Sequence, residues 1–312
     1  MSPVVQNPLR RLEVKRQMRP DDIAAVSELL ELAEAEDGHH PLGEHQWLDL
    51  VQGGREGFAG LVAWGEGHDH PVGYAQVSKG SGTWALEFVV DPHHRAADGV
   101  SIGNELLSEA LGIVRSEGGG HVHLWISKPK PWQEEVAATA GLQRGRDLLQ
   151  MRRPLPLGET TDLVTRPFVV GSDEEAWLEV NNRAFAWHPE QGDWDLATLK
   201  ARESEPWFDP DGFLLHELDG RLAGFCWTKV HADHEPPLGE IYVIAVDPDF
   251  AGRGLGRALV VAGLDHLTKL GLDVGMLYVD ASNAPAVRLY DDLGFTVDHV
   301  DRAYTGDISP QR

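Results

Sequence analysis

A single cysteine, Cys226, in 312 residues excludes an internal disulfide and argues against a disulfide-dependent secreted fold. No run approaches the roughly 18 consecutive apolar residues that a membrane helix needs. Residues 1–16 mix Arg, Asn, Pro and Glu without an apolar core, so no secretory signal is expected and the cytoplasm is the expected location. Basic residues are also scarce: 27 Lys and Arg against 50 Asp and Glu leave a net charge of −23. Without a basic stripe such a chain repels nucleic acid and anionic membrane. An anionic ligand must then be held by local devices, such as the backbone N–H groups that open a helix. The remaining composition, 42% hydrophobic and 25% charged, is that of a globular protein, and its length points to two domains.

A repeat organises the chain. Glu87-Phe-Val-Val-Asp-Pro92 and Glu240-Ile-Tyr-Val-Ile-Ala-Val-Asp-Pro248 are both apolar β-branched runs halted by Asp-Pro. Each leads through a loop to an amphipathic helical stretch (residues 102–114 and 255–270), then to a short strand (122–126 and 274–279) and a short helix. That helix ends at Gly141-Leu142 or Gly294-Phe295. An offset near half the chain length implies duplication. The Pro- and Gly-bearing stretch 154–162 reads as a linker between domains at 1–153 and 163–312. Further elements are expected in the second half at 163–169, 174–185, 195–203, 212–218 and 222–230. A hairpin is expected at Leu218-Asp-Gly-Arg221. Meandering strands followed by a βαβ unit predict an α+β fold with a mixed, mostly antiparallel sheet flanked by helices in each half.

The segment after Val246 bears the chemistry. Ala251-Gly-Arg-Gly-Leu-Gly-Arg257 opens directly into a helix. Its glycines permit tight turns and close backbone approach, and the helix start offers unpaired N–H groups: a seat for a diphosphate. A P-loop is excluded because Gly-Lys-Ser/Thr is absent, and a dinucleotide fingerprint would belong to the first strand of a doubly wound unit. Glu240 is the carboxylate on an otherwise apolar strand, placed to draw a proton from an amine.

The strand ending at Val246, the Arg253-Gly-Leu-Gly256 loop and Val279-Asp-Ala-Ser-Asn283 through Tyr290-Asp-Asp-Leu-Gly-Phe295 together resemble the GNAT family of N-acetyltransferases. The blocks Asp37–Glu44, Asn181–Gly192, Glu205–Gly212, Trp227–His231 and Gly239–Val243 extend the likeness to a tandem form covering essentially the whole chain. The resemblance implies two tandem acyl-CoA N-acyltransferase domains, the second catalytic. Acetyl-CoA would be held there by Ile244, Ala245 and Val246, by Ala251, Gly252, Arg253, Gly254, Leu255, Gly256 and Arg257, and by Asn283, Ala284, Pro285, Ala286, Val287 and Arg288. It further implies Glu240 as base and Tyr290 as proton donor to the leaving thiol. Glu44, Glu190, Lys229, Glu240 and Tyr278 would contact the acceptor, a cysteinyl-glucosamine-inositol pseudodisaccharide.

The chain departs from the family where its loop usually begins with Gln or Arg, which here is Ala251. In the first half Phe88, Val89 and Val90 correspond to acetyl-CoA contacts. The equivalent loop there, residues 95–103, is longer, with Asp98 where a diphosphate would lie, and that half is expected to be non-catalytic. Other readings are the same chemistry on an aminoglycoside or a protein N-terminus, or an acyl-CoA-sensing module without turnover. No metal is expected: His68/His70 and His121/His123 have strand spacing, but no third ligand follows. Cys226, between Phe225 and Trp227, is expected to be a buried thiol, and the scattered tryptophans to be packing groups. A monomer is expected.

Overall fold

The computed structural model describes residues 9–65, 67, 70–80, 83–186, 192, 194–232 and 234–311; the side chains of Leu9, Arg10 and Glu44 lie outside that description. The first half gives β1 (Leu9–Lys15), α1 (Pro20–Asp37), α2 (Glu44–Val51), β2 (Phe58–Gly65), β3 (Pro71–Lys79), β4 (Thr83–Val90), α3 (Pro92–Ser116), β5 (Gly120–Ser127), α4 (Pro131–Thr139) and β6 (Gln143–Pro154). The second gives β7 (Arg166–Pro167), α5 (Glu174–Ala184), α6 (Leu196–Glu203), β8 (Phe213–Leu218), β9 (Arg221–His231), β10 (Leu238–Val246), α7 (Leu255–Lys269), β11 (Val274–Asp280), α8 (Ala284–Asp292) and β12 (Thr296–Ile308). No described helix is long and apolar enough to cross a membrane.

The chain forms two compact units, but not by the linear cut expected at 153/163. One unit comprises residues 1–148 and 299–312, the other residues 149–298. In the first, the strands run β1-β2-β3-β4-β5-β12; in the second, β7-β8-β9-β10-β11-β6. The physical reason is an edge. The parallel pairs β4–β5 and β10–β11 leave β5 and β11 with an outer row of unpaired backbone groups, which must be covered. Strand β12 covers β5 antiparallel, from Asp301 opposite Ser127 to Ile308 opposite Gly120. Residues 149–154 of β6 lie beside β11. Each sheet is therefore finished by a strand from the other half of the sequence, an exchange that hydrophobic patterning does not report.

The continuous burial of β3 places apolar groups on both of its faces, and each unit carries two apolar clusters. In the second unit one core holds Ile241, Leu264, Leu277 and Tyr290 under α7 and α8. The other holds Trp177, Phe213, Phe225, Trp227, Val243 and Ala245 under α5 and α6. Trp177 meets Phe213 and Trp227 edge-to-face, as a packing group should; Trp187 lies outside the described residues. The hairpin at 218–221 forms as expected, with Asp219 and Gly220 both at positive φ (53° and 74°) and Leu218 opposite Arg221. The 163–169 run gives only the two-residue β7.

The halves diverge after their matching Asp-Pro pairs. Asp91 and Asp247 are both buried, and each accepts a bond from the N–H two residues on. After Asp247 comes a single 3₁₀ turn, Pro248–Phe250, and then the glycine loop. After Asp91 the helix starts at once, so residues 95–103 form no loop and Asp98 lies within α3. The glycines expected in a degenerate loop serve packing: a Cβ on Gly103 would come within 2.9 Å of Val136 on α4.

Candidate active site

Strand β10 is perturbed on both sides at one point. Against β9 its register slips between Ile241 and Val243, so Tyr242 bulges out. Against β11 the parallel pairing stops at Ile241–Leu277. From Tyr242 onward β10 and β11 diverge, so the backbone groups of Val243, Ile244, Ala245 and Val246 that point away from β9 have no strand partner. A cleft between the strands opens here, and an extended chain with amide groups of its own can fill it by β-like pairing.

The expected diphosphate seat lies at the end of this cleft. Arg183 bonds the carboxylate of Asp247 at 2.9 Å and that of Asp249 at 3.0 Å, while Arg221 also pairs with Asp249, so the turn leaving β10 is pinned. Gly252 and Gly254 then take φ of 75° and 78°. Gly254 caps α7, and among the described residues no side chain bonds the N–H groups that the cap leaves open. No described atom lies within 4 Å of a Cβ built on Gly252 or Gly254, and only Leu289, at 4.0 Å, meets one on Gly256. Open space over uncapped N–H groups fits a diphosphate. Arg257, on the first turn, is held by the Glu159 carboxylate at 2.7 Å, and Arg253 lies over the Phe250 ring. Asn283 caps α8, accepting from the Ala286 N–H, with Ala284, Pro285, Val287 and Arg288 on that helix.

Glu240 lies one residue before the last β10–β11 pair. Ile241 and Leu277 belong to the core under α7, so Glu240 and its neighbour Met276 point to the opposite face. Glu240 is buried, and its carboxylate takes a 2.7 Å bond from His231 Nε2, diagonally across on β9. Lys229 lies directly opposite Glu240, its ammonium 4.4 Å from the Trp207 ring centre and 5.4 Å from that of Tyr242. Tyr278, one pleat beyond Met276, shares this face and accepts a 2.8 Å bond from Gln150 of β6. A buried carboxylate, an imidazole, an ammonium and aromatic rings thus line the face of β10 where the cleft begins.

A model of the GNAT acetyltransferase family matches residues 175–295, all in this second unit. Two mycothiol acetyltransferases are similar over nearly their whole lengths. That of Acidimicrobium ferrooxidans is 44% identical, covering 95% of this chain and 94% of its own. That of Thermobispora bispora is 47% identical, covering 94% and 98%. The chain belongs to the mycothiol acetyltransferases. A tandem GNAT protein from the clavulanic acid biosynthesis pathway shares the fold (TM-score 0.70, 18% identity, 97% and 100% of the two chains). So does a GCN5-related N-acetyltransferase from Sphaerobacter thermophilus (TM-score 0.68, 24%, 97% and 98%). The chain is accordingly an N-acetyltransferase of a family that uses acetyl-CoA.

Membership in the mycothiol acetyltransferases gives the remaining residues their context. Tyr290 lies in the core under α7 and α8, on the opposite face from Glu240. Burial pushes its phenol well above the usual range, which keeps it protonated at neutral pH. Its hydroxyl has no hydrogen-bond partner among the described residues. Cys226 is fully buried in the same core, and desolvation pushes its thiol up to about 12, so no thiolate is available for an acyl-enzyme route. Glu190 lies outside the described residues; Glu44 opens α2 in the first unit, its side chain undescribed. His231 and Arg183 lie within family-like blocks that assign them no role, and Gln150 carries no local signal: Gln150 and Arg183 act through partners 128 and 64 residues away.

The first unit repeats the cleft in altered form. Pairing of β4 with β5 stops at Leu86–Leu124, and Phe88, Val89 and Val90 line a small cleft with Arg95, Trp125 and Lys130. Strand β4 carries no bulge against β3, and no glycine loop follows. Asp37 binds both Arg95 (2.7 Å) and Lys130 (2.8 Å). Although burial pushes its carboxyl up, these two cations hold it below the usual range, and their charge is already answered. Glu87, paired with Gln76 on β3, is buried and accepts the Gly43 N–H at 2.8 Å. Burial pushes its carboxyl up to about 8. The folded state therefore holds a proton between about pH 4.5 and 8 that the unfolded chain releases, and stability falls as pH rises through that window. Glu87→Gln keeps the acceptor without the titration. Thermal melts at pH 5 and pH 8 are expected to show the wild type losing on the order of 2–5 kcal/mol relative to the variant.

Proposed function

We propose that the chain transfers the acetyl group of acetyl-CoA to the cysteinyl amine of desacetylmycothiol, the cysteinyl-glucosamine-inositol pseudodisaccharide, with the second unit as the catalytic one. The observation that carries this reading is the placement of Glu240, a buried carboxylate one residue before the point where β10 parts from β11. The amides of Ile244–Val246 receive the pantetheine arm. The loop 251–257 receives the diphosphate at the start of α7, and Asn283–Arg288 flank the cofactor. A β10 N–H facing the cleft polarises the acyl carbonyl as charge develops on its oxygen.

Glu240 takes a proton from the acceptor amine, whose nitrogen forms the new bond to the acyl carbon while the carbon–sulfur bond breaks. The pairing of β10 with β11 stops at Ile241–Leu277, and in this reading the acyl thioester reaches from the Glu240 face to the Tyr290 face through the gap beyond it. The Tyr290 hydroxyl delivers a proton to the departing thiolate. Lys229, Tyr278 and Glu190 bind acceptor hydroxyls. Trp207 and Tyr242 hold the Lys229 ammonium in place, which lowers the ordering cost of that contact.

Thiol release and product formation with purified desacetylmycothiol and acetyl-CoA test the reading. Turnover of an aminoglycoside or a peptide N-terminus, with none of desacetylmycothiol, refutes it. Lys229→Ala is expected to raise the acceptor KM by roughly ten- to hundredfold, the scale of one charge-assisted hydrogen bond, at unchanged acetyl-CoA KM. A truncated acceptor lacking the inositol and sugar should be indifferent to the change. Equal losses for both acceptors would remove Lys229 from hydroxyl recognition.

A further inference from the structure

Glu240 is buried, and its carboxylate is held by a hydrogen bond from His231. Its side chain is 7% exposed, whereas the His231 ring that bonds it is 20% exposed, so the imidazole is the member of the pair that meets solvent. His231 also occupies only one carboxylate oxygen, Oε2, at 2.7 Å. Register and ring contacts bring four other titratable groups to the pair. They are Lys229 opposite on β9, His234 with its ring 5.6 Å from His231, Tyr242 on β10 and Tyr278 on β11. Of these, the Lys229 ammonium is drawn toward the Trp207 face, and Tyr278 is engaged by Gln150. Among the described residues, His231 is seen in hydrogen-bond contact with the base.

We propose that His231 is a positioning residue for the acetyl transfer, which fixes Glu240 by donating its Nε2–H to Oε2. This rests on the proposed function. Oε1 is then left facing the acceptor. The proton leaving the amine is taken up at Oε1 while the Nε2–H bond to Oε2 holds the carboxyl in place, and it then leaves Oε1 to water. The amine loses one proton, solvent gains one, and the pair returns to its starting state.

The test is the pH profile of kcat/KM for desacetylmycothiol in the wild type, H231A and H231Q. H231A is expected to lower kcat about ten- to hundredfold at unchanged acetyl-CoA KM. Loss of a bond donated to the carboxylate disfavours its charged form, so the acid limb moves to higher pH. Glutamine can still donate a hydrogen bond to Oε2, so H231Q should hold the acid limb near the wild-type position and recover most of the kcat that H231A loses. A folded H231A with wild-type kcat overturns the inference, as does a folded H231Q whose kcat is as low as that of H231A. If H231A does not fold, a folded H231Q that loses more than about tenfold in kcat overturns it. A wild type that does not acetylate desacetylmycothiol fails the proposed function instead, so the two failures are distinct.

Discussion

Glu240→Gln is expected to lower kcat by about 10²–10⁴-fold at neutral pH while leaving acetyl-CoA affinity near wild type. The magnitude is that of a positioned general base removed without other change. Glutamine has the same length, fits the same buried site between Lys229 and Met276, and its amide can still meet His231. What it loses is the capacity to accept a proton. The expected acetyl-CoA seat lies elsewhere, on residues 244–246 and 251–257, so isothermal titration should separate a chemical loss from a binding loss. A rate within threefold of wild type would leave proximity as the main catalytic device. A parallel fall in acetyl-CoA affinity would mean that the substitution had disturbed β10 itself.

Legibility divides along the range of the interactions. The glycine loop, the Asp-Pro stops and the Asp-Gly hairpin are local devices, and each was readable because a few adjacent residues fix the backbone. The Glu240 carboxylate stood out because it interrupts an apolar strand. The bulge at Tyr242 was not legible, since it shows only as a slip against β9. Nor was the exchange of β6 and β12, because an alternating strand says nothing about which edge it will cover. The first half misled for a related reason. Residues 95–103 contain two glycines, which suggests a loop, yet Gly103 is there for the close approach of Val136 on α4 and the helix runs straight through. A glycine read without its neighbour is ambiguous between a turn and a contact. His231 was ambiguous in the same way, because its partner lies across a strand pair.

Gly254→Val separates those two uses of glycine and should abolish acetyl-CoA binding at the second unit, raising the Kd by more than about a hundredfold. Two effects act together. A non-glycine residue at φ of 78° is strained by about 1–3 kcal/mol, and a β-branched one more than most. Relief of that strain turns the first N–H groups of α7 away from the diphosphate. The side chain also enters the space over the helix start that a diphosphate needs, and each 1.4 kcal/mol lost is a factor of ten in affinity. Since no described atom lies within 4 Å of that Cβ, the fold should survive, and circular dichroism and melting should show it. The counterpart in the first unit is Gly99→Ala, whose Cβ would meet Trp132 at an ordinary 3.5 Å inside α3; it should leave turnover intact. Gly103→Val should instead destabilise, because Val136 stands 2.9 Å away, and any loss of activity should track the unfolded fraction. Were Gly99→Ala to stop catalysis in a folded protein while Gly254→Val did not, the catalytic unit would be the first and not the second.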